Sequence, residues 1–276
     1  MPNRSSHKIF SSYNIRKIIL EQSKRANVGH IGSALSIADI LLALYGRILR
    51  IKNPQDHFRD RFILSKGHAA LSLYAVLFLK GWISQKQLNT FCADGTLLGV
   101  HPDHAVCGID FSTGSLGQGL SVAAGVALGA RLKKASYRSF ALISDAECNE
   151  GSVWEAAMFA GHHRLSNLIV VLDQNGQQAF GYTRDVIRLK SIGQTWASLG
   201  WDVHEIDGHN IAAMVKLMGR LKINEGRPHL IVAKTTFGKG VSYMENKIKW
   251  HYWPMSDEEY EIALKDIEKF KGAHAV

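Results

Sequence analysis

The chain has 276 residues, 46% of them hydrophobic, with a formal net charge of +9 and three cysteines. Three cysteines are too few for a disulfide-stapled scaffold, no apolar run approaches the ~20 residues of a membrane-crossing helix, and one large α/β layer is ordinary at this length. The basic balance favours anionic partners, and because Lys and Arg are scattered, without dense runs or interleaved aromatics, small phosphorylated ligands are expected rather than nucleic acid.

The first eight residues are polar and basic with no apolar segment behind them, so no signal peptide and a reducing cytoplasm are expected. The spacing of Ile15, Ile18 and Ile19 predicts an amphipathic helix over 13–26. The loop Gly29-His30-Ile31-Gly32-Ser33 then presents a histidine between glycines. Ser36-Ile37-Ala38-Asp39 has the form of a capping box, and Ile37, Ile40, Leu41, Leu44 and Ile48 keep helical spacing behind it. A short strand over 61–64 delivers Ser65-Lys66-Gly67-His68, a second histidine, to a strand–helix junction. Helices are expected over 69–80 and from Ser84 to near Ala93.

Gly99-Val100-His101-Pro102 places a third histidine in a loop. The stretch Phe111-Ser112-Thr113-Gly114-Ser115-Leu116-Gly117-Gln118-Gly119 is the most glycine-dense of the chain. It can bring backbone N–H groups close to an anion, at the start of a helix over 120–133. Apolar runs over 139–143 and 168–172 read as strands, with Ser152-Val153-Trp154-Glu155 as a capping box opening the helix between them. A βαβ unit makes those strands parallel, so Asp145 and Asn175 both emerge at the carboxyl ends of the sheet, where open α/β sheets bind ligands. A carboxylate, an amide oxygen and the backbone carbonyl of Gln177 suit a hard cation such as Mg²⁺ carrying a diphosphate. The same pattern also fits a buried aspartate capping a helix and an asparagine turn.

Further strands are expected over 200–206 and 228–234, an amphipathic helix over 211–224, a loop bearing Trp250-His251, and a capped, charged helix over about 256–271. The alternation predicts a single domain over 1–276 built on one doubly wound, mainly parallel sheet with helices on both faces.

Gly29-His30, Ser65-Lys66-Gly67-His68, the 113–119 segment, Asp145 to Asn175 and Trp250-His251 together resemble the thiamine-diphosphate-binding half of transketolase, in the same order and at similar intervals. Transketolases are usually more than twice this long. The chain is therefore similar to the N-terminal subunit of a split transketolase. The resemblance implies a two-carbon ketol transferase acting on sugar phosphates with thiamine diphosphate and Mg²⁺. It also implies a partner, the C-terminal subunit carrying the pyrimidine-binding domain, in a heterotetramer. It assigns Mg²⁺ to Asp145, Asn175 and the Gln177 carbonyl. His68, Gly114, Ser115, Leu116 and Ala146 would hold the cofactor, and Glu150 matches a position linking paired active sites. His30, His101 and His251 would line the substrate channel and move protons. His162 and His163 read as capping or surface residues, and Cys148 as packing.

Two departures stand out. Where the family has glycine after the metal-binding aspartate, this chain has Ala146; a positive φ there would strain alanine. After His251 the family commonly has glycine, whereas Tyr252-Trp253 follows here, either narrowing the substrate entrance or packing against the partner. The alternative readings are another thiamine-diphosphate enzyme, a synthase or decarboxylase, and a degenerate regulatory subunit.

Overall fold

The computed structural model describes residues 9–223 and 226–272. The chain begins with α1 (Ser12–Ala26), α2 (Ile31–Ser36), α3 (Ala38–Ala43), β1 (Arg61–Leu64), α4 (Ala70–Leu79) and α5 (Gln85–Leu88). A long irregular segment leads to α6 (Gln118–Leu132), β2 (Ser139–Ser144), α7 (Gly151–His162) and β3 (Leu168–Gln174). A small hairpin of β4 (Gln177–Gln178) and β5 (Gly181–Tyr182) precedes α8 (Thr183–Val186) and α9 (Ile192–Ser198). Then come β6 (Asp202–Asp207), α10 (Ile211–Met218), β7 (His229–Lys234) and α11 (Asp257–Ile267).

Five strands form one parallel sheet in the order β1-β2-β3-β7-β6. The central strands are almost entirely buried, which is why they read as continuous apolar runs rather than alternating ones. Successive residues still face opposite layers. Phe140, Leu142, Ile169, Val171 and Ile231 join a core with α1, α3, α4, α10 and α11, whereas Ala141, Ile143, Val170, Leu172 and Val232 pack against α6, α7 and α9. The crossover helix α7 lies on one face and α10 on the other. The winding therefore reverses between β3 and β7, and a crevice opens at the carboxyl ends there.

The five strands and two helix layers are those expected from the sequence. Of the three expected caps one is formed: Ser256 with Glu259 is a reciprocal capping box, as is Ser84 with Gln87 at the start of α5. The other two are not. Ser36 donates instead to Ser33 O and to Asp173 Oδ2, while Asp39 accepts from Arg16 in a buried ion pair. At α7 the N-cap residue is Glu150, and Ser152 already lies inside the helix. The reciprocal pair lies eight residues earlier. Ser144 Oγ accepts from Glu147 N at 3.3 Å, and a Glu147 carboxylate oxygen accepts from Ser144 N at 2.9 Å. The helix expected over 211–224 ends at Met218, and its last expected residue falls outside the described ones. The helix expected to run to Ala93 stops at Leu88.

Candidate active site

A cavity of about 510 Å³ opens at the carboxyl ends of the strands, with His30, His68, His101, Gly114, Leu116, Ala146, Glu150, Asn175, Gln177 and His251 on its walls. Ten of the residues singled out from the sequence, drawn from seven separate segments, thus meet at one place. Asp145 lies instead on an adjoining pocket of about 390 Å³, which Asn175 shares with Thr183, Arg184 and Arg188. Ser115 is exposed and lines neither.

Three of the histidines form a triangle. Ring centroids are 5.2 Å apart for His30 and His251, and 5.6 Å for each of the other two pairs with His68. His30 sits in the left-handed region (φ 60°), and its backbone N–H donates to the His251 carbonyl, tying the first loop to the last. Phe237 stacks on His251. The fourth imidazole, His101, lies against Gly114, where a Cβ would come within 3.4 Å of the ring. Burial lowers the pKa of all four. For His251 burial, reinforced by His30 and Lys66, takes it down to about 4. Four neutral imidazoles therefore face one cavity at neutral pH, each with one donor and one acceptor nitrogen.

Many buried polar atoms here lack a partner. His30 Nδ1, His251 Nδ1, Ser33 Oγ, Asn149 Oδ1, Gln178 Nε2 and both terminal atoms of Gln177 make no hydrogen bond among the described residues, and all belong to residues lining the cavity. Buried polar atoms are ordinarily satisfied, so this concentration fits a polar ligand.

The Asp145 turn suits a cation. Asp145 accepts from Ala146 N at 3.0 Å, Gly176 N at 2.9 Å and Thr183 Oγ1 at 3.1 Å. Asn175 donates to Asp173 Oδ2, and its oxygen accepts from Gln177 N. Burial, then the nearby Asp173 carboxylate, pushes the Asp145 carboxyl up to about 7. A cation beside it would relieve both effects, and a carboxylate, an amide oxygen and a carbonyl are the donors that Mg²⁺ takes.

Ala146 is strain-free at the position where the family has glycine. It opens a 3-10 turn and is absent from the residues with positive φ. Its methyl group faces the cavity without a backbone penalty. Gly117, by contrast, has φ 83°, and a Cβ there would lie 2.7 Å from Glu150 Cβ. Tyr252 meets His251 edge-on at 5.0 Å, and its hydroxyl donates to the Ala179 carbonyl beside the hairpin; Trp253 is exposed.

Three residues that organise the site have roles the sequence did not disclose. Lys66 and Asp173 form an ion pair with both side chains fully buried. Asp173 also accepts from Ser36, Asn175 and Thr235, so one carboxylate ties β3 to α2, the junction after β1 and the end of β7. Glu147 accepts from Ser65 Oγ, Gly117 N and Ser144 N, anchoring the glycine-rich loop to the ends of β1 and β2. The Ser144-x-x-Glu147 spacing is the signal that points to it.

Residues 8–271 match the family described as transketolase, thiamine diphosphate binding domain. The chain belongs to that family. It is 40% identical over 256 residues to one subunit of the apulose-4-phosphate transketolase of Phocaeicola vulgatus, covering 92% of this chain and 91% of that one. The 6-deoxy-6-sulfo-D-fructose transketolase subunit SqwG of a Clostridium species is 42% identical over 258 residues, covering 92% and 94%. Among solved structures, the transketolase of Campylobacter jejuni superposes with a TM-score of 0.87 at 29% identity, over 94% of this chain and 42% of that one. This transketolase-family chain thus spans about two-fifths of that single-chain transketolase and nearly the whole of the two subunits.

Proposed function

We propose that this chain is the diphosphate-binding subunit of a transketolase that moves a two-carbon ketol unit from a ketose phosphate to an aldose acceptor. The observation that carries the reading is the meeting of four neutral histidines with Asn175 and Gln177 at one cavity, beside the adjoining pocket that Asp145 lines. Asp145, Asn175 and the Gln177 carbonyl are the proposed Mg²⁺ ligands, and His68, Gly114, Ser115, Leu116 and Ala146 the proposed cofactor contacts. Thiamine diphosphate, when bound, supplies the electron sink that carbon–carbon cleavage beside a ketose carbonyl requires.

His30, His101 and His251 act on the sugar. Each neutral ring donates a hydrogen bond to a carbonyl or developing alkoxide through one nitrogen and takes a hydroxyl proton through the other. Phe237 and the mutual packing of the His30 and His251 rings hold these two in place, so little reorganisation accompanies their proton transfers. Glu150, at the N-cap of α7 and on the cavity wall, is the proposed link between paired sites.

Completion comes from a second chain. Phe180 and Ile187 line the cavity yet are 87% and 54% exposed, and the outer sides of α6 and α7 leave Leu132, Met158 and Phe159 exposed. Large apolar side chains at a site rim and on neighbouring helices suit subunit contact. The partner is the pyrimidine-binding subunit, in a heterotetramer with the cytoplasm as its setting. Native purification of the chain from its source tests this: a stoichiometric partner retaining thiamine diphosphate and Mg²⁺ is expected. A chain that purifies alone and takes up no cofactor when both are supplied would overturn it.

A further inference from the structure

At the opposite end of the sheet lies a second cluster of metal-ligating side chains. Asp202 and His204 stand two residues apart on the edge strand β6, and His229 opens β7 in register with Asp202, so the alternation of a strand points all three to the same side. His229 Nε2 lies 3.3 Å from the Lys222 carbonyl. A carbonyl only accepts, so Nε2 carries the proton and Nδ1 holds a bare lone pair. That Nδ1 is buried without a hydrogen-bond partner among the described residues, in a side chain 2% exposed, and it faces Asp202 Oδ2 at 3.3 Å. His204 Nε2 approaches the same oxygen at 3.2 Å.

Two acceptors face each other across 3.3 Å. The arrangement suits a small, borderline-soft cation. Bonds of 2.0–2.1 Å in a tetrahedron put ligand atoms roughly 3.3 Å apart, which matches the two carboxylate–imidazole separations. All three ligand atoms lie within 4.8 Å of one another. The Lys222 carbonyl gripping the far nitrogen is the kind of support that fixes the tautomer of a metal-bound histidine.

We propose that Asp202, His204 and His229 form a zinc site with its fourth position open to solvent beside the half-exposed Asp202. It is separate from the Asp145 turn: the two ends of β7 are roughly 20 Å apart at 3.3 Å per residue. Metal here staples the edge strand to its neighbour and to the segment after α10.

The test uses metal-stripped full-length protein titrated with Co²⁺, whose tetrahedral complexes absorb visibly, followed by Zn²⁺. One equivalent of Co²⁺ is expected to give the band, Zn²⁺ to abolish it, and zinc to raise the thermal midpoint. D202N and H204Q, both on the accessible side of the cluster and checked for folding by circular dichroism, lose the band, whereas D145N keeps it. Absence of the band, its survival in D202N and H204Q, or its loss only in D145N would overturn the proposal.

Discussion

His251 touches His30, His68, Phe237 and Tyr252, and this crowding sets its chemistry. Its folded-state pKa of about 4 lies below the ordinary 6.5, so the unfolded chain takes up a proton first as the pH falls. Stability that is full above about 6.5 is therefore lost progressively down to about 4. From pH 7 to pH 5 this one group costs about 2 kcal/mol at 1.36 kcal/mol per unit, and His30 and His68, lowered by the same burial, act in the same direction. Urea unfolding of the cofactor-free chain at both pH values checks this: His251→Gln is expected to remove about 2 kcal/mol of the decline. Equal declines in variant and parent would contradict it. His30, His68 and His101 were legible because each lies within two residues of a glycine, and His251 only through the Trp250-His251 pair that the family resemblance singled out. Lys66 and Asp173 were not, because their roles arise from partners up to 137 residues away and no local pattern encodes such pairings; Glu147 left only the Ser144-x-x-Glu147 spacing as a local signal.

Secondary structure divides the same way. Buried parallel strands announce themselves as apolar runs, and caps whose side chains serve only their own helix, at Ser84 and Ser256, follow their spacing. Ser36 departs from the pattern because tertiary partners claim its hydroxyl. The junction between α7 and the turn after α9 is another long-range fit. Gly161 lies where a Cβ would come 1.9 Å from the Leu199 carbonyl oxygen, and Trp201 Nε1 donates to Ala157 O across the same contact. Backbone cannot yield as a side-chain tip can, so Gly161→Ala is expected to cost about 3 kcal/mol, the upper part of the range for overpacking. A urea midpoint unchanged at constant slope would show that the junction is looser than the geometry indicates.

For the molecule as a whole, the winding of the sheet explains why the site lies where it does. Segments ending β1, β2, β3 and β7 converge at the point of reversal, and the most exposed part of that site, around Phe180 and Ile187, is the part that a second subunit would cover. The strain-free alanine turn at Ala146 removes backbone strain as a reason to regard the chain as degenerate. The central claim is transfer of two carbons. The direct measurement incubates the chain and its partner subunit with thiamine diphosphate, Mg²⁺, an acceptor aldose phosphate and a ketose phosphate labelled with ¹³C at its first two carbons, and follows the label by NMR. The label is expected as an intact pair at the head of a new ketose, in the parent but not in Asp145→Asn. Release of the pair as other products, or transfer undiminished in Asp145→Asn, would contradict the account.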